Sequence, residues 1–283
     1  MGFNAMTILG GRGMLGSDLA QYAAERGLNV QVCDLPEFDV TDETQVEAAV
    51  SQSEVIVNCA AYTNVEKAES EIGLANQVNG YAVGRLGRIA KAAGVPVVHI
   101  STDFVFDGMK EGAYSETDAA SPVSVYGGSK LLGETLLAES GCERCIVRVQ
   151  WTYGKHGTNF ITKILDAAKT RDELRVVDDQ VGSPTHTLEV AKVLCDLLQM
   201  DTFPTGLYHC AASGQTSRYD MTRYLFERLG IKTNVVPCKT ADFKTAAHRP
   251  LNSRFDCGKL EKLLGRAMPD WQDMLDHYLA ANV

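Results

Sequence analysis

The segment Met6-Thr7-Ile8-Leu9-Gly10-Gly11-Arg12-Gly13-Met14-Leu15-Gly16 limits the fold more than any other stretch of the chain. Four residues of strand type run into a turn with glycine at positions 10, 13 and 16. Beyond it, Leu15, Leu19, Tyr22 and Ala23 recur at helical spacing, and Gly27 fits a helix stop. Strand, glycine turn and helix together form the entry unit of a dinucleotide-binding fold. The glycines let backbone N–H groups approach a pyrophosphate, which rests on the positive end of the helix. The spacing is G-x-x-G-x-x-G rather than G-x-G-x-x-G. Gly10, Arg12, Gly13, Met14, Leu15 and Gly16 are therefore candidate cofactor contacts.

The rest of the chain continues the alternation. Strands are expected at 29–34, 53–60, 95–101 and 145–149, with helical segments between them. Their runs of apolar, β-branched residues suit a parallel sheet buried on both faces. Strands alternating with helices give a doubly wound, Rossmann-like α/β sheet. Beyond Tyr153 the order loosens. A helical stretch at 159–170 and the region from 213 onward read as material outside the sheet, whereas 189–200 and 206–210 read as one more helix and strand returning to it. The expected division is a dinucleotide-binding domain of residues 5–155 plus 183–212. A smaller mixed α/β substrate domain takes 156–182 plus 213–283.

Tyr126 and Lys130 lie four apart in Tyr126-Gly127-Gly128-Ser129-Lys130, on one face of an expected helix. An ammonium beside a phenol favours the phenolate and lowers its pKa from about 10. Such a tyrosine can pass a proton to a carbonyl oxygen. Asp34 ends the second strand, where a carboxylate bonds the adenosine ribose hydroxyls and suits NADH. Arg12 points the other way, because a cation there can receive the 2′-phosphate of NADPH. Both cofactors stay open. Asp39 and Val40 follow that strand; Asp39 reads either as a contact to the adenine amino group or as a cap of the next helix.

Composition narrows the class. Net charge is -9 and the basic residues are dispersed, unlike the basic patch of a nucleic-acid surface. No apolar run nears the ~20 residues of a membrane span. The first residues show no charged-then-apolar signal pattern, so a cytoplasmic protein is expected. Eight cysteines are irregularly spaced. Cys33, Cys59, Cys195 and Cys210 read as buried thiols, and Cys142-Glu143-Arg144-Cys145 has no second pair with which to hold zinc. No metal is expected.

With these motifs goes a set of longer ones. They are Asn58-Cys59-Ala60-Ala61-Tyr62-Thr63-Asn64-Val65-Glu66-Lys67-Ala68-Glu69, Ser101-Thr102-Asp103-Phe104-Val105-Phe106-Asp107-Gly108, Asp179-Gln180-Val181-Gly182-Ser183-Pro184-Thr185 and Arg249-Pro250-Leu251-Asn252-Ser253. In order and spacing the chain resembles the extended short-chain dehydrogenase/reductases, and within them the dTDP-4-dehydrorhamnose reductase group. The resemblance covers nearly the whole chain. It implies NAD(P)H-dependent reduction of the C4 carbonyl of a nucleotide-linked 4-keto-6-deoxyhexose, in polysaccharide biosynthesis, by a monomer or homodimer. Thr102, Tyr126 and Lys130 would be the catalytic set. Cys59, Ala60 and Ala61 would line the nicotinamide. Val65, Asp103, Phe104 and Trp151 would line the sugar pocket, and Asn159, Gln180 and Arg249 would reach the sugar or the nucleotide diphosphate.

The chain also departs from the family pattern. Phe104 stands where Tyr is usual, Gln150 where a smaller residue is usual, and Arg218 where Trp is frequent. Asp18 matches a carboxylate position of relatives said to dimerise through magnesium, but Leu188 stands where another would be, so no metal-bridged dimer is expected. Two rival readings remain: another nucleotide-sugar reductase or epimerase, and a non-catalytic NAD(P)-binding regulatory subunit like that of methionine adenosyltransferase.

Overall fold

Alternating strand and helix periods build the first half of the molecule. In the computed structural model, which describes residues 2–282, the chain begins β1 (Ala5–Leu9), α1 (Met14–Glu25), β2 (Asn29–Cys33), α2 (Glu43–Ser51) and β3 (Ile56–Asn58). Two short helices, α3 (Val65–Ala68) and α4 (Ile72–Asn76), lead through a π-helical turn at Gln77–Tyr81 into α5 (Ala82–Ala93). Then come β4 (Val97–Thr102), a 3-10 turn at Asp103–Val105, α6 (Val125–Glu139) and β5 (Arg144–Val149). The second half runs β6 (Thr152–Tyr153), α7 (Phe160–Ala168), β7 (Glu173–Val177), β8 (Val181–Gly182), β9 (Thr185–His186) and α8 (Thr187–Leu198). It ends β10 (Gly206–Cys210), β11 (Thr216–Ser217), α9 (Arg218–Leu229), β12 (Asn234–Cys238), α10 (Gly258–Leu264) and α11 (Trp271–Asn282).

Six strands form one sheet in the order β2-β1-β3-β4-β5-β10, every neighbouring pair parallel. Both faces are buried, as the apolar runs imply. Met6, Ile8, Val57, Val98 and Val147 enter one apolar cluster, and their neighbours Leu9, Ile56, Val97 and Ile146 enter the other. α1 packs on α8, while α5 packs against α2 and α6. The expected strand at 53–60 is three residues long, though Val55 and Cys59 extend its hydrogen bonding to β1.

β10 returns to the sheet edge as its sequence suggests. Outside the sheet, β7 pairs with β12, β8 with β11 and β6 with β9, and α9 packs on β7 and β12. Residues beyond 213 include α11, whose Trp271, Met274, Leu275 and Tyr278 share the apolar cluster of β1 and β4. All eight cysteines are free thiols, Cys142 and Cys145 included. Among the described residues no helix is long and apolar enough to cross a membrane.

Candidate active site

The glycine turn is built for close approach. Gly10 takes φ +73°, open to glycine at no steric cost. A side chain at Gly16 would strike the Gly10 carbonyl and the Gly11 backbone. α1 begins at Met14 with no side-chain cap and no acidic residue in its first turn, so no side chain caps its leading N–H groups, and Met14, Leu15 and Gly16 line a cavity. This is a cradle a pyrophosphate can fill. It forms one wall of a cavity of about 610 Å³, and Gly10, Gly13, Met14, Leu15 and Gly16 line it. Asp34, Asp39 and Val40 continue the wall at one end, and Cys59, Ala60, Ala61 and Val65 continue it toward the other.

The groups proposed to choose between NADH and NADPH are already engaged with one another. Asp34 accepts the N–H of Arg12 at 2.7 Å and that of Leu35 at 2.7 Å. The Arg12 guanidinium donates to the Leu35 carbonyl at 2.9 Å and to Glu37 at 2.5 Å. Glu37, absent from the sequence reading, thus holds the guanidinium that was expected to receive a 2′-phosphate. Asp39 accepts from Thr41, and the cap of α2 is Asp42 instead, which accepts the Gln45 N–H.

Thr102, Tyr126 and Lys130 line the same cavity. Thr102 ends β4; its hydroxyl caps the 3-10 turn by accepting the Phe104 N–H at 3.2 Å and donates to Asp103 at 3.1 Å. Ser124 caps α6 through the Gly127 N–H, and the Phe104 ring meets that of Tyr126 edge-on at 5.5 Å. The acidity of Tyr126 departs from expectation. Burial pushes the phenol up to about 12, the Thr102 hydroxyl pulling part of the way back. Lys130 does not counter this. Its ammonium donates to the Ile100 carbonyl at 2.7 Å and lies 3.5 Å from His99 Nε2. Burial pulls Lys130 itself down to about 8.

Polar residues beneath α6 fix these positions. In the sheet, Asn58, His99, Ser101 and Arg148 are all buried. The Ala60 N–H donates to Asn58 Oδ1 at 3.1 Å, leaving Asn58 Nδ2 to donate to His99 Nδ1 at 3.2 Å. The other ring nitrogen, Nε2, faces the Lys130 ammonium at 3.5 Å. Burial and the Lys130 charge hold His99 well below its usual range, so it is neutral. One turn along α6, Glu134 takes Arg148 in a two-pronged ion pair at 2.9 and 2.6 Å and accepts from Ser101 at 2.5 Å. Asn79, in the π-helical turn, bonds Tyr62 and the Ser129 hydroxyl and ties α6 to the loop before α3. Sequence reading missed these residues, although polar residues alternating within an apolar strand are their signal.

A second cavity, of about 260 Å³, adjoins the first. Gln180 and Arg249 line it, with Thr240 and Phe243. Gln180 donates to Thr240 at 3.1 Å, and Arg249 pairs with Glu66 at 2.5 Å. Phe104, Trp151 and Arg218 border both cavities. Trp151 takes φ +44°, unusual outside glycine, and its indole is half-buried in the wall rather than in the core. Asp103 is buried, and burial raises its carboxyl to about 6 despite the neighbouring Ser253 and Thr102 hydroxyls and Arg218. The structure gives Asn159 a different task from the one expected. It caps α7 by accepting the Ile161 and Thr162 N–H groups and donates to the Gly154 carbonyl, so its amide is spent and it borders neither cavity. Gln150 is buried as well, joining Ser183 to Ser253.

Comparison with known proteins fits this geometry. The family model described as the RmlD substrate binding domain matches residues 4–283. The chain belongs to this family. A dTDP-4-dehydrorhamnose reductase of Aggregatibacter actinomycetemcomitans is 37% identical over 288 residues, covering 97% of this chain and 98% of that protein. A dTDP-4-keto-6-deoxy-D-glucose reductase of Streptomyces niveus is 38% identical, covering 79% and 78%. A dTDP-4-dehydrorhamnose reductase from Bacillus anthracis, solved in complex with NADP, superposes with a TM-score of 0.93 at 32% identity, covering 99% of both chains.

Proposed function

We propose that the protein reduces the C4 carbonyl of a nucleotide-linked 4-keto-6-deoxyhexose using NADPH or NADH, with dTDP-4-dehydrorhamnose as substrate and dTDP-rhamnose as product. The observation that carries this reading is the meeting of Thr102, Tyr126 and Lys130 on one wall of a cavity whose opposite end is the glycine turn. Family membership and the reductase relatives support it. The cradle at Gly10–Gly16 would hold the cofactor diphosphate, and Cys59 to Ala61 would lie along the nicotinamide, which when bound supplies the hydride.

The protein's own groups handle the rest of the chemistry. Tyr126 donates its proton to the C4 oxygen as negative charge develops there. With its pKa near 12 it stays protonated at neutral pH, as a proton donor must. Thr102 offers a second hydrogen bond to the same oxygen, and Lys130 bonds the ribose of the nicotinamide. Val65, Asp103, Phe104 and Trp151 surround the sugar. Residues 156–182 and 213–283 hold the nucleotide end, with Gln180 and Arg249 in the smaller cavity.

The test is a spectrophotometric screen of NADPH and NADH oxidation against dTDP-4-dehydrorhamnose and other nucleotide 4-ketosugars. Oxidation that depends on the dTDP sugar is expected. Cofactor binding with no oxidation by any ketosugar, together with copurification of a larger partner, would move the assignment to a regulatory subunit. Oxidation with a different nucleotide sugar alone would change the substrate.

A further inference from the structure

Arg218 is the first residue of α9 and borders both cavities. Its guanidinium carbon lies 3.5 Å from the centroid of the Trp151 indole and 4.6 Å from that of Phe160. Gly182 closes on the indole so tightly that a side chain there would collide with it. The ring thus has a fixed place for the cation to lie on. Stacking uses the faces of a guanidinium and leaves its five N–H groups in the plane unspent. Among the described residues the Arg218 guanidinium makes no hydrogen bond and no ion pair; its main-chain carbonyl accepts from the Thr222 hydroxyl at 2.8 Å. Its nearest influences are the Asp103 carboxylate, which is not within ion-pair distance, and the repelling charge of Arg249. Asp103 is itself incomplete, since its buried Oδ2 accepts no hydrogen bond. Arg218 is half-buried, so these idle donors stay open to a ligand in the cavities it borders.

Position says which ligand. A nucleotide sugar with its hexose at Tyr126 and its nucleoside in the smaller cavity must pass its diphosphate across the junction. Phe104, Trp151 and Arg218 make that junction, and only Arg218 carries charge. Arg249 lies in the smaller cavity alone and already has Glu66. We propose that Arg218 is the principal diphosphate-binding residue of this protein, with Arg249 as a secondary contact. This rests on the nucleotide-sugar reading above and names a residue through which this chain departs from the family's frequent Trp.

Calorimetric titration of the full chain with dTDP, thymidine and NADPH tests it, in the parent and in Arg218→Gln and Arg218→Trp. Both variants should lose ~10-fold or more in dTDP affinity, the scale of a hydrogen bond to a charged group. Thymidine and NADPH affinities should stay within about twofold of the parent. Arg218→Trp keeps an aromatic cover over Trp151, so retained NADPH binding certifies its fold and lets it decide should Arg218→Gln fail to fold. Unchanged dTDP affinity, or an equal loss for dTDP and thymidine, overturns the proposal. So does a parent that does not bind dTDP. Arg218-dependent dTDP binding without ketosugar turnover would keep this inference and sink the proposed reaction. Turnover with dTDP affinity indifferent to Arg218 would do the reverse.

Discussion

Among single residues, Asp103 and Tyr126 show most clearly what burial does. A carboxyl raised from 3.8 to about 6 binds a proton more tightly in the folded protein than in the unfolded chain. Between those pH values stability falls as pH rises, and above about 6 the full cost of the buried charge is present. Asp103→Asn should therefore raise the thermal midpoint at pH 7, by up to roughly 3 kcal/mol of stability for two pKa units, and change it little at pH 3.5. Melting curves at both pH values check this; an equal gain at both would mean that packing, not ionisation, is responsible. Tyr126→Phe removes the proposed proton donor but keeps the ring against Phe104. Turnover should fall by ~10²-fold or more with cofactor affinity little changed. Steady-state kinetics showing near-parent turnover would remove Tyr126 from the mechanism. The sequence told that Tyr126 and Lys130 share a helix face. It could not tell that Lys130 is buried, or that its ammonium turns toward Ile100, because those depend on elements far away in the chain. The capping role of Asn159 was hidden for another reason: the amide that can bind a ligand is also the amide that can cap a helix.

Among elements, α6 carries the proposed proton donor, and its rotation on the sheet is set by what lies beneath it. Tyr126, Lys130 and Glu134 follow one another at four-residue steps, and Glu134 is locked to Arg148 in the interior. Gly133 lets the helix touch the π-helical turn, where any side chain would strike the Asn79 carbonyl. Glu134→Ala would leave the Arg148 charge buried and unpaired, a loss of about 3–5 kcal/mol. Replacing both residues with methionine should recover much of that loss. Denaturant titrations of the single and double variants measure the difference, and a single variant as stable as the parent would show that the ion pair does not hold α6. The strands themselves were legible, because β-branched runs of strand length bounded by turn residues have few other readings. The π-helical turn was not. Gln77-Val78-Asn79-Gly80-Tyr81 sits in an unbroken helical pattern, and the one-residue bulge follows from contacts with α6.

Over the whole molecule, Glu66 links the two sets of elements. From α3 it accepts the Ala246 N–H at 2.8 Å and pairs with Arg249. Arg249→Ala should weaken binding of a dTDP-sugar by less than either Arg218 variant does, under about tenfold, while leaving NADPH affinity unchanged, since the cofactor cradle lines the other cavity. Titration with both ligands separates the outcomes; parallel losses would mean that the variant disturbs the fold rather than the phosphate contact. The return of the chain to the sheet was readable, since the helix and strand near residues 189–210 resume the earlier alternation. The shared core was not, because nothing in α11 says which apolar face it will meet. That late return of β10 bears on how the protein is made. As the chain leaves the ribosome, β5 remains an unprotected sheet edge, its peptide groups open to any neighbouring nascent strand, until residue 210 has emerged to close it.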